Sequence, residues 1–337
     1  MNKTILLGHG SGGLMTGDLI RELFVKYFNN PILDVLTDSA VAQIGDTTLA
    51  FTTDSFVVDP IFFPGGDIGK LAVCGTVNDL SVSGARPLYL SSGFIIEEGF
   101  PLADLERIVK SMAEEAIKTG VQIITGDTKV VKKGQCDKIF INTTGIGIIE
   151  KRFASISRGS LIKPDDRILV NGYLGDHEIA ILSAREKLKF EEPVISDVTS
   201  LNPMIRSLLE SGVEIRFMRD ITRGGLATIL SEVAASLKHG VVIDELVIPV
   251  REQVTGLCEV YGFNPLFLAN EGKVLMIVAP ESADLALKMM QRFEIGRDAR
   301  IIGEITRENP GKVLMKSIIG GTRIIDKLAG EQLPRIC

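Results

Sequence analysis

The 337-residue chain has no tryptophan, three histidines and four cysteines. Cys74, Cys136, Cys258 and Cys337 stand far apart, with no C-x-x-C pair. That scarcity argues against a structural zinc site and suits a reducing compartment better than a disulfide framework. Basic residues are outnumbered, 37 Lys and Arg against 43 Asp and Glu, a net charge of −6. A general nucleic-acid binder needs a basic surface, so no nucleic-acid partner is expected. No apolar run approaches the length of a membrane span, and the one near Ile5–Leu7 is too short for a secretion signal. The expected location is the cytoplasm, with no membrane partner. What is present is ordinary globular material: 45% apolar and 24% charged residues exclude global disorder, and the length suits one large or two medium domains.

The first half reads as strand-rich, with a few helices that can cover one face of a sheet. Short β-like runs fall at Ile32–Leu36, Thr47–Phe51 and Ser55–Val58, and longer ones at Pro87–Ile96, Val121–Thr125 and Lys138–Ile149. Helices are expected near Thr16–Phe28 and from Ile68 to Val82. Leu102, Leu105, Val109, Met112 and Ala116 recur at helical spacing and predict a helix over Leu102–Lys118. The pattern breaks into polar residues around Glu150–Pro164, which places a domain boundary there. The second half carries expected helices at Asp176–Leu188, Val198–Glu210 and Gly224–Leu237, and strands at Ile168–Asn171, Val241–Ile243, Val274–Val278, Arg300–Ile305 and Lys312–Met315. The residues from Leu328 to Cys337 lack periodicity and read as an exposed tail. The expected division is therefore 1–150, 151–325 and a tail over 326–337.

Several constellations can carry chemistry. Asp38, Asp54, Asp79 and Asp127 stand beside glycine or polar turns. Any one of them alone suits a turn or helix cap, but four in apolar surroundings suggest a site for magnesium and phosphate. Gly8-His9-Gly10-Ser11-Gly12-Gly13 can wrap phosphate oxygens with its backbone amides, although a flexible arm fits as well. Asp220-Ile221-Thr222-Arg223-Gly224-Gly225 opens a helix, where Asp220 or Thr222 reads as a cap and Arg223 as added positive charge. Glu271, in Asn270-Glu271-Gly272-Lys273 before a strand, is placed either to act as a general base or to pair with a lysine. Cys337 stands seven residues after Gly330, and that stretch reaches at most roughly 26–29 Å when extended. It can be a carrier thiol or a cysteine without a role.

Taken together, these residues resemble the HypE family of hydrogenase maturation factors. That family lies within the ATP-binding superfamily of aminoimidazole ribonucleotide synthetase, selenophosphate synthetase and thiamine-monophosphate kinase. The resemblance covers nearly the whole chain. It rests on His9-Gly10-Ser11-Gly12-Gly13, Asp38-Ser39-Ala40-Val41, Thr53-Asp54-Ser55-Phe56, Val77-Asn78-Asp79-Leu80, Gly84-Ala85-Arg86-Pro87-Leu88 and Gly126-Asp127-Thr128-Lys129. Asp220-Ile221-Thr222-Arg223-Gly224-Gly225-Leu226, Asn270-Glu271-Gly272 and Pro334-Arg335-Ile336-Cys337 complete it. The last motif is the one most specific to this family.

The resemblance implies an α+β fold of two domains, with the N-terminal sheet pairing into a barrel at a homodimer interface. It implies that a carbamoyltransferase, HypF, loads Cys337, and that ATP then drives dehydration of the thiocarboxamide to a thiocyanate. The cyano group would pass to iron on the HypC–HypD scaffold as a ligand of the NiFe-hydrogenase centre. Glu271 is implied as the base, with Lys129 assisting. Asp38, Asp54, Asp79 and Asp127 are implied to hold Mg2+ and ATP, with Asn78 helping and Gly10, Ser11, Gly12 and Gly13 closing over the phosphates. Much of the family has Gly after the histidine of Gly175-Asp176-His177, where this chain has Glu178, so His177 is given no catalytic role. Two rivals stay open. A sister enzyme of the superfamily would not need Cys337, and a non-catalytic nucleotide-binding scaffold would not need Glu271.

Overall fold

The computed structural model describes residues 4–188, 190–237, 239–327, 333 and 335–337. Strands β1 (Ala40–Ile44) and β2 (Thr47–Phe56) form a hairpin, followed by the short pair β3 (Phe62–Phe63) and β4 (Gly66–Asp67). With β5 (Ala85–Glu97), β6 (Gln122–Val131) and β7 (Ile139–Ile149), they build a five-stranded sheet in the order β1-β2-β7-β5-β6. All its pairs are antiparallel except β5–β6. The hairpin β2 is one ten-residue strand where the sequence suggested two runs, and Ile32–Leu36 forms a 3-10 turn at Leu33–Val35 rather than a strand.

Helix α1 (Leu14–Leu19) continues through a π-helical turn (Ile20–Val25) into α2 (Lys26–Phe28), and none of these residues is buried. Helix α3 (Ile68–Val82) starts where the Asp67 carboxylate accepts from the amides of Gly69 and Lys70, at 2.8 and 3.0 Å. It is apolar on nearly every side because it is covered on nearly every side: the first sheet on one flank, and α4 (Leu102–Thr119) and the second domain on the others. The amphipathic α4 buries Ile108, Met112 and Ala116 and ends at Gly120 in the left-handed region.

The second domain holds β8 (Arg167–Val170), β9 (Ile215–Asp220), β10 (Gly240–Asp244), β11 (Val274–Val278), β12 (Arg300–Thr306), β13 (Val313–Lys316) and β14 (Thr322–Ile325). They form one mixed sheet in the order β14-β13-β10-β12-β8-β11-β9. Its helices are α5 (Asp176–Arg185), α6 (Asn202–Glu210), α7 (Gly225–Leu237), α8 (Glu252–Tyr261) and α9 (Ala283–Met290). Apolar residues of α7 pack in one core with this sheet, and those of α6 and α9 in another. Every residue of β11 is therefore buried, and the strand is an unbroken apolar run.

Two further expectations change. Helix α6 begins at Asn202, so Val198–Leu201 is not helical but the end of an extended strap that crosses between the domains. The tail is not exposed where it is described: Ile336 is 6% exposed and packs into the core of the first domain. Residues 328–332 and 334 lie outside the described residues. Among the described residues no helix is long and apolar enough to cross a membrane.

Candidate active site

The carboxylates converge from four elements. Asp38 precedes β1, Asp54 lies on β2, Asp79 on α3 and Asp220 at the end of β9. One ligand atom from each of Asp38, Asp79 and Asp220 falls within 4.8 Å of the others. Thr52 Oγ1 donates to Asp79 Oδ2 at 2.7 Å, and Thr76 Oγ1 donates to Asp54 Oδ2 at 3.5 Å. Among the described residues, Asp38 alone of the four has a direct cationic partner, Arg219 Nε donating to its Oδ1 at 3.0 Å, while the same guanidinium donates to Glu232 at 2.6 Å. Burial pushes Asp79 and Asp220 well above the usual carboxylate range. Their mutual repulsion with Asp38 and Asp54 pushes them further. Clustered oxygen donors, buried at Asp220 and partly buried at Asp38 and Asp79, fit a hard divalent cation, which would remove the repulsion.

The glycine arm reaches this cluster through Arg223. Its Nη1 donates to the Gly10 carbonyl at 2.9 Å. Gly12, at φ +82°, lies so close that an added Cβ would stand 2.9 Å from the Arg223 carbonyl oxygen. A side chain there would lift the arm from the turn. Ser11 Oγ donates to the Gly8 carbonyl, and Gly13 caps α1.

Glu271 sits on the loop before β11, buried, with its amide donating to Asp197 Oδ1 at 3.1 Å. The other oxygen of Asp197 lies 2.9 Å from Lys273 Nζ, and this ion pair is itself buried. The strap and the Glu271 loop are so close that a Cβ on Gly272 would fall 2.1 Å from the Asp197 carbonyl. Burial raises the Glu271 carboxyl well above its ordinary value. Asp220, Asp197 and Asp54 add to this, and Arg223 opposes it.

Cys337 is seated in the same interior. Its carbonyl accepts from Val57 N at 2.9 Å, and the Arg335 carbonyl accepts from Asp59 N at 3.2 Å. Arg335 Nε donates to the Val57 carbonyl at 3.0 Å, its Nη1 pairs with Asp137, and Arg185 Nη2 donates to the Arg335 carbonyl at 2.9 Å. Burial pushes the Cys337 thiol up to about 12; Arg223 opposes this, and Glu271, Asp54 and Glu178 add to it. The thiol, Glu271, Asp54 and Arg223 thus share one electrostatic neighbourhood.

Not every expected residue joins them. Asp127 and Lys129 lie on the edge strand β6, both exposed, and pair with each other at 3.0 Å. Asp127 feels only its own strand neighbours, so within one chain it is not part of the cation cluster. Asp220 takes that place. Asn78 faces the strap: its Nδ2 donates to the Thr199 and Glu271 carbonyls, at 3.0 and 3.4 Å, and its Oδ1 accepts from Leu201 N at 2.8 Å. Its amide is committed to main chain of the strap and the Glu271 loop, which makes it a residue that joins the domains. Asp220 looked like a helix cap. In the structure it ends β9, Ile215–Asp220, a strand that two arginines interrupt.

The matching family models are the AIR synthase related protein N-terminal domain over residues 36–149 and the C-terminal domain over 163–316. The carbamoyl dehydratase HypE of Rhodobacter capsulatus is 47% identical over 340 residues, covering 100% of this chain and 99% of that protein. The chain belongs to the carbamoyl dehydratase HypE family. Its fold agrees with HypE crystal structures at 48% identity. One is in a HypE–HypF complex (TM-score 0.86, covering 92% of this chain and 99% of that one), and another is in complex with ATP (0.83, covering 99% and 100%). As in that family, this is a two-domain α+β enzyme with mixed sheets.

Proposed function

We propose that the chain dehydrates a carbamoyl group carried on its own Cys337 to a thiocyanate, using ATP, in the service of NiFe-hydrogenase maturation. The observation that carries this reading is the seat of the tail: the Cys337 carbonyl is held by Val57 N at 2.9 Å, where the charges of Arg223, Glu271 and Asp54 all act on its thiol. A lone thiol so placed is a poor nucleophile, because burial and three carboxyl groups all oppose the thiolate. The same pocket suits a neutral thiocarboxamide. An amide oxygen leaves poorly. Its phosphorylation by ATP makes phosphate the leaving group, the C–O bond breaks, and both N–H protons are lost as the nitrile forms. The balance is thiocarboxamide and ATP to thiocyanate, ADP, phosphate and a proton. Glu271 takes a proton from nitrogen, and Arg223 faces the charge that develops on oxygen.

A Mg2+ ion held by Asp38, Asp79 and Asp220, with Asp54 adjacent, would supply charge neutralisation for the phosphate oxygens of ATP. The Gly10–Gly13 arm, docked on Arg223, would close over those phosphates once amides such as that of Gly12 leave their partner Thr16 Oγ1. Asp127 and Lys129 lie on the exposed edge strand β6. A second copy pairing along that edge would close the barrel of a homodimer and bring this pair to an interface. The HypF protein of the HypE–HypF complex is the class of partner that would load Cys337. Loading requires the tail to leave its seat, so the tail alternates between an outward and an inward position. A HypC–HypD scaffold would accept the cyano group.

The test is intact-protein mass spectrometry after carbamoyl loading and addition of Mg–ATP. The expected result is loss of one water mass at Cys337, dependent on ATP and absent in Cys337→Ala. Verified loading without that loss would leave a nucleotide-binding scaffold. Failure to load would point to a sister reaction of the superfamily.

A further inference from the structure

His177 is buried at the start of α5 with both ring nitrogens engaged. Nδ1 stands 2.7 Å from Ser196 Oγ, and Nε2 stands 2.7 Å from the carbonyl oxygen of Ile336, the residue before Cys337. A carbonyl oxygen only accepts, so Nε2 carries the proton and donates it. In the neutral ring Nδ1 then accepts, and the proton it takes is that of the Ser196 hydroxyl. Ser196 Oγ is left free to accept from Val198 N, which it does at 3.1 Å. Every polar atom of the chain Val198–Ser196–His177–Ile336 is partnered, and only one tautomer of the neutral ring satisfies them all.

The mount is rigid on both sides. Ser196 N donates to the Pro64 carbonyl of the first domain at 2.9 Å. The Phe63 ring meets the imidazole edge-on, with centroids 5.5 Å apart at 88°. The next strap residue, Asp197, accepts the amide of Glu271. Adjacent residues of one extended strap therefore fix the two reacting parts, Ser196 through His177 for the tail and Asp197 for the base.

We propose that His177 is a positioning residue that seats the tail. Its Nε2–H holds the Ile336 carbonyl so that the group on Cys337 faces Glu271, and Ser196 sets the tautomer that makes this donation possible. The role rests on the dehydratase reading above. It requires a donor at the Nε2 position and does not require an ionisable group.

Isosteric substitutions separate seating from packing. Gln places its amide nitrogen near the Nε2 position, whereas Asn reaches only to that of Nδ1. With carbamoylated protein and saturating Mg–ATP, His177→Asn and His177→Ala should slow the loss of water about tenfold, the order of one hydrogen bond. His177→Gln should stay within about threefold of the unaltered protein, and Mg–ATP affinity should be unchanged in all three. Trypsin cleavage after Arg335, read as loss of the Ile336–Cys337 dipeptide, should rise in Asn and Ala but not in Gln. Equal rates in Asn and Gln would overturn the seating role, and so would Mg–ATP affinity falling along with the rate. If Ala fails to fold, the Asn and Gln pair decides. If the unaltered protein, verified as loaded, loses no water, the dehydratase reading fails; the trypsin comparison then still reports whether His177 holds the tail.

Discussion

The amide of Glu271 donates to Oδ1 of Asp197, while Oδ2 of the same carboxylate pairs with Lys273. One buried aspartate thus both orients the base and charges its surroundings. Burial opposes the Asp197 charge, but Lys273 and His177 outweigh it and hold the group below its ordinary value.

Asp197→Asn keeps an acceptor for the Glu271 amide and removes the charge. The lost negative charge was pushing Glu271 up, and Lys273, left without its counter-ion, pulls it down. The acid limb of the pH–rate profile for dehydration should move to lower pH. A shift to higher pH would show that Glu271 is not the group being read. The same change strands a buried ammonium and should cost about 3–5 kcal/mol of stability, measured by denaturant unfolding.

Burial holds His177 below the ordinary histidine value of 6.5, with Asp197 opposing. Between the lowered value and 6.5 the unfolded chain binds more protons than the folded one, so stability rises with pH across that window and falls as the solution is acidified through it. The slope contributed is at most about 1.4 kcal/mol per pH unit. His177→Gln should remove this component, and thermal midpoints measured from pH 7 down to 5 would show it. An unaltered slope in the Gln variant would assign the dependence to other groups.

The sequence made Asp38, Asp54 and Asp79 legible because each follows a polar break in an apolar run. It hid Asp220, because a strand-end aspartate followed by Thr and two glycines looks the same as a helix cap. Helix α4 was legible from its amphipathic period. The extended strap was not, since Val198-Thr199-Ser200-Leu201 fits a helix start until Asn78 and Glu271 are seen to claim its backbone. The seat of the tail was invisible for another reason: the partners of Arg335, Ile336 and Cys337, namely Arg185, His177 and Val57, are contributed by segments 150 residues and more away in sequence, and no local pattern records them.

The bond cut by trypsin after Arg335 is itself part of the seat, for the Arg335 carbonyl accepts from both Asp59 N and Arg185 Nη2. Arg185 also donates to the Asp59 carbonyl at 2.7 Å, so it binds both sides of this contact. Arg185→Ala should raise the rate of cleavage at Arg335 about tenfold through more frequent local opening, with global stability changed far less. Cleavage at the rate of the unaltered chain would mean that Arg185 does not hold the tail.

Asp220→Asn should separate stability from function. Burial and repulsion raise the Asp220 carboxyl above its unfolded value, so near neutral pH the folded state carries a charge that it would rather neutralise. A group raised in this way contributes stability at low pH that is lost as pH rises toward its folded value. Replacing it with the neutral isostere relieves that penalty, about 1.4 kcal/mol for each unit by which the group is raised, and the metal-free protein should melt at a higher temperature at pH 7. The same substitution removes the charge of one of three carboxylates placed to share a divalent cation and leaves only a neutral amide oxygen, so the increase in melting temperature on adding Mg–ATP should shrink. Thermal melts of both proteins, with and without Mg–ATP, would show the two effects with opposite sign. A variant that is less stable without metal would mean that Asp220 serves mainly as a structural cap. A variant stabilised by Mg–ATP as fully as the unaltered protein would remove Asp220 from the cation site and leave Asp54 as its nearest replacement.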